Sequence, residues 1–167
     1  MKEAVQKIIH KKIYNIMSNL SFSITGESHN ATKFEAKARD FSFIVDEPES
    51  LGGNDHGPNP VEYLLGSYAG CLNVVIHLVA KEEGVQINKL QITVDGDLDP
   101  AKFIGQPGFN RAGFQTINVK LDIDADADEV TINKIIGVAK NRCPINDNLS
   151  NVTQINYAVK NNSALTN

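Results

Sequence analysis

One long apolar segment constrains the fold of this chain more than any other feature. Apolar side chains recur at three- and four-residue steps over residues 60–83, which predicts an α-helix. Asn59 suits the N-cap and Glu62 completes a capping box, while Gly84 suits the residue that follows the helix. The apolar side chains cover most of its circumference and comprise Leu64, Leu65, Tyr68, Cys71, Leu72, Val74, Val75, Leu78 and Val79. Such a helix is central, enclosed by other elements or by a second subunit.

The remaining pattern predicts a single α+β domain over residues 1–167. Residues 1–18 are expected to form an amphipathic helix, 161–167 a frayed tail, and the glycine- and proline-rich stretch 47–60 an irregular loop. The predicted strands are Leu20–Thr25, Thr32–Ala38, Phe41–Val45, Lys89–Asp97, Gln115–Ile123 and Val152–Val159, and the second helix is Asp128–Asn141. This order segregates strands from helices, which is typical of α+β folds.

Composition excludes several classes of function. Charged residues make up 22% of the chain and the net charge is −4, so no basic patch predicts nucleic-acid binding. Lysines interrupt the first twenty residues, which therefore lack the apolar stretch of a secretory signal. No apolar run approaches the roughly 18 residues of a membrane span. With two cysteines, the chain has no disulfide framework. We expect a soluble cytoplasmic protein with no membrane partner.

The two cysteines are the one group of residues in the sequence that indicates a catalytic site. Cys71 lies in the middle of the long helix, and Cys143 precedes Pro144, where the second helix pattern stops. Pro144 suits the start of a short new helix, for which Cys143 is the candidate N-cap. The amides of that helix would favour a Cys143 thiolate, and the nearby carbonyl end of the preceding helix would oppose it. Seventy-two residues separate the cysteines, and a disulfide requires Cα atoms within about 7 Å. From the residues alone they are either a redox pair or two inert core residues.

Activation of Cys71 would require a cation brought in by the fold. Apolar surroundings raise the pKa of a thiol, and Cys71 is too far from the helix start for its dipole to help. The chain contains three arginines that could serve: Arg39, Arg111 and Arg142. A metal is not expected, because the four histidines lack ligand spacing and the aspartates at 122, 124, 126 and 128 lack the glycine and glutamate of a calcium loop. Those aspartates are expected to lie on the solvent face of a strand and at a helix cap.

Several short motifs together resemble the OsmC/Ohr family, named for osmotically induced protein C and organic hydroperoxide resistance protein. The motifs are Leu51-Gly52-Gly53, Gly57-Pro58-Asn59-Pro60, Cys71 eleven residues after that proline, and Cys143-Pro144 after the second helix. The similarity covers roughly residues 20–160. It implies antiparallel sheets wrapped around long central helices in an intertwined homodimer, with thiol peroxidase sites at the interface.

The resemblance also implies the roles of three residues. Cys71 matches the peroxidatic cysteine, Cys143 the resolving cysteine, and Arg39 the arginine that stabilises the thiolate. The implied substrate is an organic hydroperoxide, and the implied reductant is an external dithiol such as a lipoyl group, with no bound cofactor. In one departure, Val61 stands where many members have a glutamate that pairs with the arginine. The neighbouring Glu62 would lie about 180° around the helix from Cys71 and is interpreted as a capping residue.

Three hypotheses follow. The first is a hydroperoxide reductase that uses Cys71, Cys143 and Arg39. The second is a dimeric module with redox-silent cysteines that binds an apolar or sulfur-containing small molecule. The third is a purely structural domain, in which both thiols would react slowly with an alkylating reagent, because a low thiol pKa is what makes a cysteine reactive at pH 7.

Overall fold

A computed structural model of the chain describes residues 20–160. The predicted helix within residues 1–18 and the tail at 161–167 lie outside the described residues. The chain separates into two compact units, Met1–Pro60 and Val61–Asn167. Each contains an antiparallel sheet, and the described part of the second contains three α-helices. The predicted α+β class is confirmed.

The first unit is built on a three-stranded antiparallel meander. The strands are β1 (Thr25–Ser28), β2 (Phe34–Ala38) and β3 (Phe41–Val45), and β2 lies between the other two. The β2–β3 connection is a two-residue turn at Arg39-Asp40, where Arg39 has a φ of 56°. The turn before β2 is held by the side chain of Asn30, which accepts hydrogen bonds from the amides of Thr32 and Lys33 at 2.9 and 2.7 Å.

The prediction of a strand at Leu20–Thr25 is wrong. The strand begins at Thr25, where pairing with Lys37 of β2 starts, and it continues through Ser28. Residues 20–24 have no partner strand among the described residues, and Phe22 is exposed. The apolar pattern was present, but a strand also needs a neighbour that takes up its backbone hydrogen bonds.

A buried carboxylate organises the loop that follows β3. Asp46 is fully buried and accepts hydrogen bonds from the backbone amides of Glu47, Asn54 and His56 at 2.9, 3.2 and 3.3 Å. Gly53 packs so closely on the backbone of Glu47 that a Cβ atom would lie 1.7 Å from its carbonyl oxygen. The loop is therefore irregular but fixed, with a single 3₁₀ turn at Glu49–Leu51.

The second unit is built around helix α1 (Pro60–Glu82), whose predicted limits are confirmed to within a residue. It continues into β4 (Ile87–Asp97), β5 (Thr116–Ala125), α2 (Glu129–Arg142) and α3 (Pro144–Ser150). The buried core consists of Tyr68, Leu72, Val75, Ile76, Val79 and Ala80 of α1 together with Ile135, Ala139 and Cys143. Partly buried side chains of β4 and β5 pack against it. Helix α1 is long and apolar enough to cross a membrane. The buried core helix of a soluble protein meets the same two criteria of length and composition.

Helix α1 ends at a left-handed glycine, as predicted. Gly84 has a φ of 71°, and the amide of Val85 donates to the carbonyl of Ala80 at 2.8 Å, the closing bond of a Schellman motif. At the same end, Arg142 of α2 donates two hydrogen bonds to Glu82 at 2.5 and 3.1 Å. The aspartates on β5 lie on its exposed face, and Asp128 caps α2 by accepting from the amide of Thr131 at 2.8 Å.

The prediction of a last strand at Val152–Val159 is wrong for the chain as described. Residues 152–160 form no strand, and their side chains are exposed, with Tyr157 90% exposed and Val152 fully so. The sheet of the second unit contains β4 and β5, paired antiparallel from Ile87 opposite Ala125 to Asp97 opposite Thr116. Among the described residues, no strand edge pairs with residues 152–159. Alternation of apolar and polar side chains was therefore not enough to form a strand there.

Candidate active site

The fold brings the two cysteines into contact. The Sγ atoms of Cys71 and Cys143 lie 2.6 Å apart, with Cys143 donating a hydrogen bond, and both thiols are free. Cys71 lies on the half-buried side of α1, whereas Cys143 is completely buried between α2 and α3. A disulfide bond is about 2.05 Å long, so little movement separates the two thiols from a covalent bond.

Cys143 occupies the junction of two helices. It is the C-cap residue of α2, where its amide donates to the carbonyl of Lys140, and the N-cap residue of α3. As predicted, its sulfur caps α3, accepting from the amide of Asn146 at 3.4 Å. Pro144 fits the first helical position because it has no N–H to satisfy there.

The surroundings of Cys71 oppose its ionisation. Burial is the main cause that raises the pKa of Cys71, and the hydrogen-bonded neighbour Cys143 adds to the rise. The backbone amide of Ile145 hydrogen-bonds to Cys71 and acts in the opposite direction. Within this unit the resting state of Cys71 is therefore the neutral thiol, and a thiolate would need an additional positive charge.

A tyrosine and an asparagine complete the polar network around the sulfurs. The hydroxyl of Tyr68 donates to the side-chain Oδ1 of Asn146 at 2.7 Å, and the backbone amide of Asn146 donates to the sulfur of Cys143. Burial raises the pKa of Tyr68, and the nearby Cys143 and Cys71 reinforce the effect. Sequence reasoning missed both residues, although Tyr68 lies three positions before Cys71 on one helix face and Asn146 three after the capping Cys143.

The three arginines differ in their surroundings. Arg142 is paired with Glu82, and Arg111 of the second unit donates a hydrogen bond to the carbonyl of Phe114. Arg39 belongs to the first unit, where its guanidinium lies over the ring of Phe41, 5.2 Å from the centroid. Its role as partner of the Cys71 thiolate stays a prediction. Among residues 20–160, no three His, Cys, Asp or Glu side chains are grouped to hold a metal ion.

Comparisons of the sequence and of the structure with known proteins point to the same protein family. The family described as OsmC-like protein matches residues 52–158. A hydroperoxide reductase of Mycoplasma pneumoniae is 28% identical over 138 residues, which is 83% of this chain and 93% of that protein.

Solved structures show the same fold. The crystal structure of an OsmC-like protein from Mycoplasma pneumoniae has a TM-score of 0.70 at 24% identity, covering 81% of this chain and 91% of that one. An organic hydroperoxide resistance protein from Elizabethkingia anophelis has a TM-score of 0.58 at 19% identity, with coverages of 79% and 89%.

Proposed function

Because the chain belongs to the OsmC-like protein family, we propose that it is a thiol-dependent peroxidase that reduces organic hydroperoxides through Cys71 and Cys143. The observation that supports this most is the 2.6 Å separation of two sulfurs that are 72 residues apart in sequence. The similarity to a hydroperoxide reductase over most of both chains supports the same reaction class.

The proposed cycle has three steps. The Cys71 thiolate attacks one peroxide oxygen, the O–O bond breaks, and the departing alkoxide takes a proton to become an alcohol. Cys71 is then a sulfenic acid. The sulfur of Cys143 attacks it, forming the S–S bond and releasing water. An external dithiol, for which we propose a lipoyl-type group, supplies two electrons and two protons to restore both thiols.

The positive charge needed by the thiolate is assigned to Arg39. A guanidinium stays charged at any working pH, so it can hold the thiolate and the polarised peroxide without acting as a base. Such a charge would counteract the raised pKa of Cys71, which burial and the adjacent Cys143 cause. We place the cycle in the cytoplasm, where dithiol reductants are kept reduced.

A homodimer is part of the proposal. The exposed face of α1 carries Gly66, Gly70 and Val74, and a Cβ atom built on either glycine meets nothing within 4 Å. Residues 152–159 alternate apolar and polar side chains yet pair with no strand in the described chain. We propose that a second copy of the chain covers both features, because apolar side chains that are exposed together on a surface mark a protein–protein interface.

The direct test is intact mass and peptide mapping after one equivalent of cumene hydroperoxide is added to fully reduced protein. We expect a loss of two hydrogens and a peptide linking Cys71 to Cys143. The Cys71→Ser variant should show no turnover, whereas Cys143→Ser should accept one oxidation at Cys71 and fail to recycle. Undiminished steady-state turnover by Cys71→Ser would refute the proposal.

One observation favours a second candidate, the redox-silent binding module. Burial raises the pKa of Cys71, and a neutral thiol is a poor nucleophile. In that case both thiols would remain unmodified after the hydroperoxide is added, and replacing both with serine would leave ligand retention unchanged.

A further inference from the structure

A cavity of about 430 Å³ in the second unit is lined by residues that also contact the thiol network, although neither cysteine lines it. Its volume falls within the roughly 300–1,000 Å³ typical of small-molecule sites. Tyr68 and Asn146, which hydrogen-bond to each other, form part of its wall. Since the amide of Asn146 also donates to Cys143, the cavity wall and the thiol network share residues.

Two cations line this cavity, Arg111 from the β4–β5 loop and Lys140 from the last turn of α2. No aspartate or glutamate is among the lining residues within 20–160. In the same part of the chain, no carboxylate lies within ion-pair distance of Arg111 or Lys140. Within residues 20–160, no carboxylate therefore pairs with the two cations of the cavity, and an anion would be attracted to them.

The loop holds Arg111 in place before any ligand binds. The guanidinium donates to the carbonyl of Phe114, whose ring is buried. The side chain of Gln115 donates to the carbonyls of Arg111 and Gly113 at 2.9 and 2.8 Å. A cation fixed in this way loses less conformational freedom when it binds an anion than a free surface side chain would.

The rest of the wall is partly apolar. Ile117 of β5 and Leu149 of α3 line the cavity and also pack against the core cluster. The cavity thus combines hydrocarbon surface with two cations, next to the residues that hold the thiols. Such a lining suits an organic molecule with one anionic end better than a fully apolar one.

We propose that this cavity selects organic hydroperoxides that carry a carboxylate, which Arg111 and Lys140 bind while the hydroperoxide group reacts at Cys71. This inference rests on the proposed peroxidase function and names its substrate class. The carboxylate is unchanged in the reaction, and the hydroperoxide leaves as the corresponding hydroxy acid. Arg111 and Lys140 are specificity-determining residues, not participants in the thiol chemistry.

The test compares two substrates of nearly equal shape, 4-carboxycumene hydroperoxide and its methyl ester. The rate constant for Cys71 oxidation is measured for each with the full-length protein, using dithiothreitol to restore the thiols. We expect the wild type to prefer the carboxylate by about tenfold or more, the order expected for a charge-assisted hydrogen bond. Raising the salt concentration should reduce this preference.

Three cavity variants and one control variant test which residues cause the preference. Arg111→Gln and Lys140→Gln should each lower the ratio of carboxylate rate to ester rate, and the double variant should bring it near one. Lys102→Gln removes the same charge from an exposed position outside the cavity and should leave the ratio at the wild-type value. Because a ratio is compared, a general loss of activity in a variant does not affect the result.

Each outcome is decisive. Equal rates for the two substrates in the wild type, or an unchanged ratio in the double variant, would overturn the substrate assignment and leave the peroxidase proposal standing. Failure of both compounds to oxidise Cys71 would instead refute the peroxidase function itself.

Discussion

The chemistry proposed for Cys71 depends on a positive charge close to its sulfur, and no cation is among the groups of its own unit that shift the pKa of the thiol. Burial and the adjacent Cys143 raise its pKa above the ordinary value of 9.0, which favours the neutral thiol at pH 7. An opposite charge within a few ångströms can lower such a pKa by roughly 1–3 units. The rate of Cys71 oxidation at neutral pH therefore depends on a cation beside the thiol, and we propose that this cation is Arg39.

Replacing Arg39 with glutamine tests this assignment. We expect the rate of Cys71 oxidation at pH 7 to fall by about 10- to 1,000-fold, because the thiol pKa rises by roughly 1–3 units. The loss should disappear as the pH rises above the thiol pKa, since both proteins are then ionised. Stopped-flow oxidation rates between pH 6 and 10 provide the measurement.

Two variants serve as controls for that experiment. Arg39→Lys keeps the charge and should retain part of the neutral-pH rate. Lys37→Gln removes an exposed charge from β2 two residues earlier and should follow the wild-type profile. Coincident pH profiles for Arg39→Gln and wild type would exclude Arg39 as the partner of the thiolate.

The buried carboxylate of Asp46 is expected to make the stability of the fold depend on acidic pH. Burial acts to raise its pKa, but hydrogen bonds from the His56 amide, the Thr32 hydroxyl and the Glu47 and Asn54 amides outweigh it and hold the pKa below 3.8. The carboxylate therefore stabilises the fold above pH 3.8, and this contribution is lost as the pH falls through the lower, folded-state pKa.

Asp46→Asn should remove that dependence. The asparagine would direct an NH₂ group or a single oxygen at three amide donors, so the urea midpoint at pH 7 should fall. Between pH 4 and 2 the midpoint of the variant should then change less than that of the wild type. Parallel pH dependences in the two proteins would show that another carboxylate carries the acid sensitivity.

At the level of elements, the ends of α1 and α2 could be predicted because their signals are local. Pro60 and Gly84 fix α1 through backbone conformations that those residues favour, and Asp128 caps α2 with its own side chain. The two strands that were wrong, Leu20–Thr25 and Val152–Val159, needed partners that no local pattern specifies. The same distinction explains why the capping role of Cys143 was predictable and its contact with Cys71 was not.

Two glycines give opposite predictions for the same substitution. Gly84→Ala places a Cβ in a left-handed conformation and should cost about 1 kcal/mol, although no atom lies within 4 Å of it. Gly137 lies inside α2 with equally open surroundings, and Gly137→Ala should stabilise the fold by about 0.5–1 kcal/mol. Thermal unfolding should show shifts of a few degrees in opposite directions. Equal shifts would mean that the Gly84 conformation carries no cost.

At the scale of the whole molecule, the cavity and the thiol pair depend on contacts between residues distant in sequence. Arg111 lies in the loop between β4 and β5, and no pattern in that loop indicates which side chains it faces. Nothing in the sequence alone linked Arg111 to Tyr68, or Tyr68 to Asn146. Chemistry at this scale follows from topology, so the sequence could nominate the cysteines but not the residues around them.

Residues 152–159 allow a test of whether the protein forms a homodimer. If a second copy covers it, Ile155 and Tyr157 on one alternating face are buried in the dimer, although both are exposed in one chain. Ile155→Asp would then remove about 1.5–3 kcal/mol of apolar burial and add a charge to the interface, weakening the dimer by tenfold or more. Asn156→Asp adds the same charge on the opposite face and should remain dimeric. Light scattering across a dilution series measures both dissociation constants, and a wild type that is monomeric at micromolar concentration would contradict the dimer.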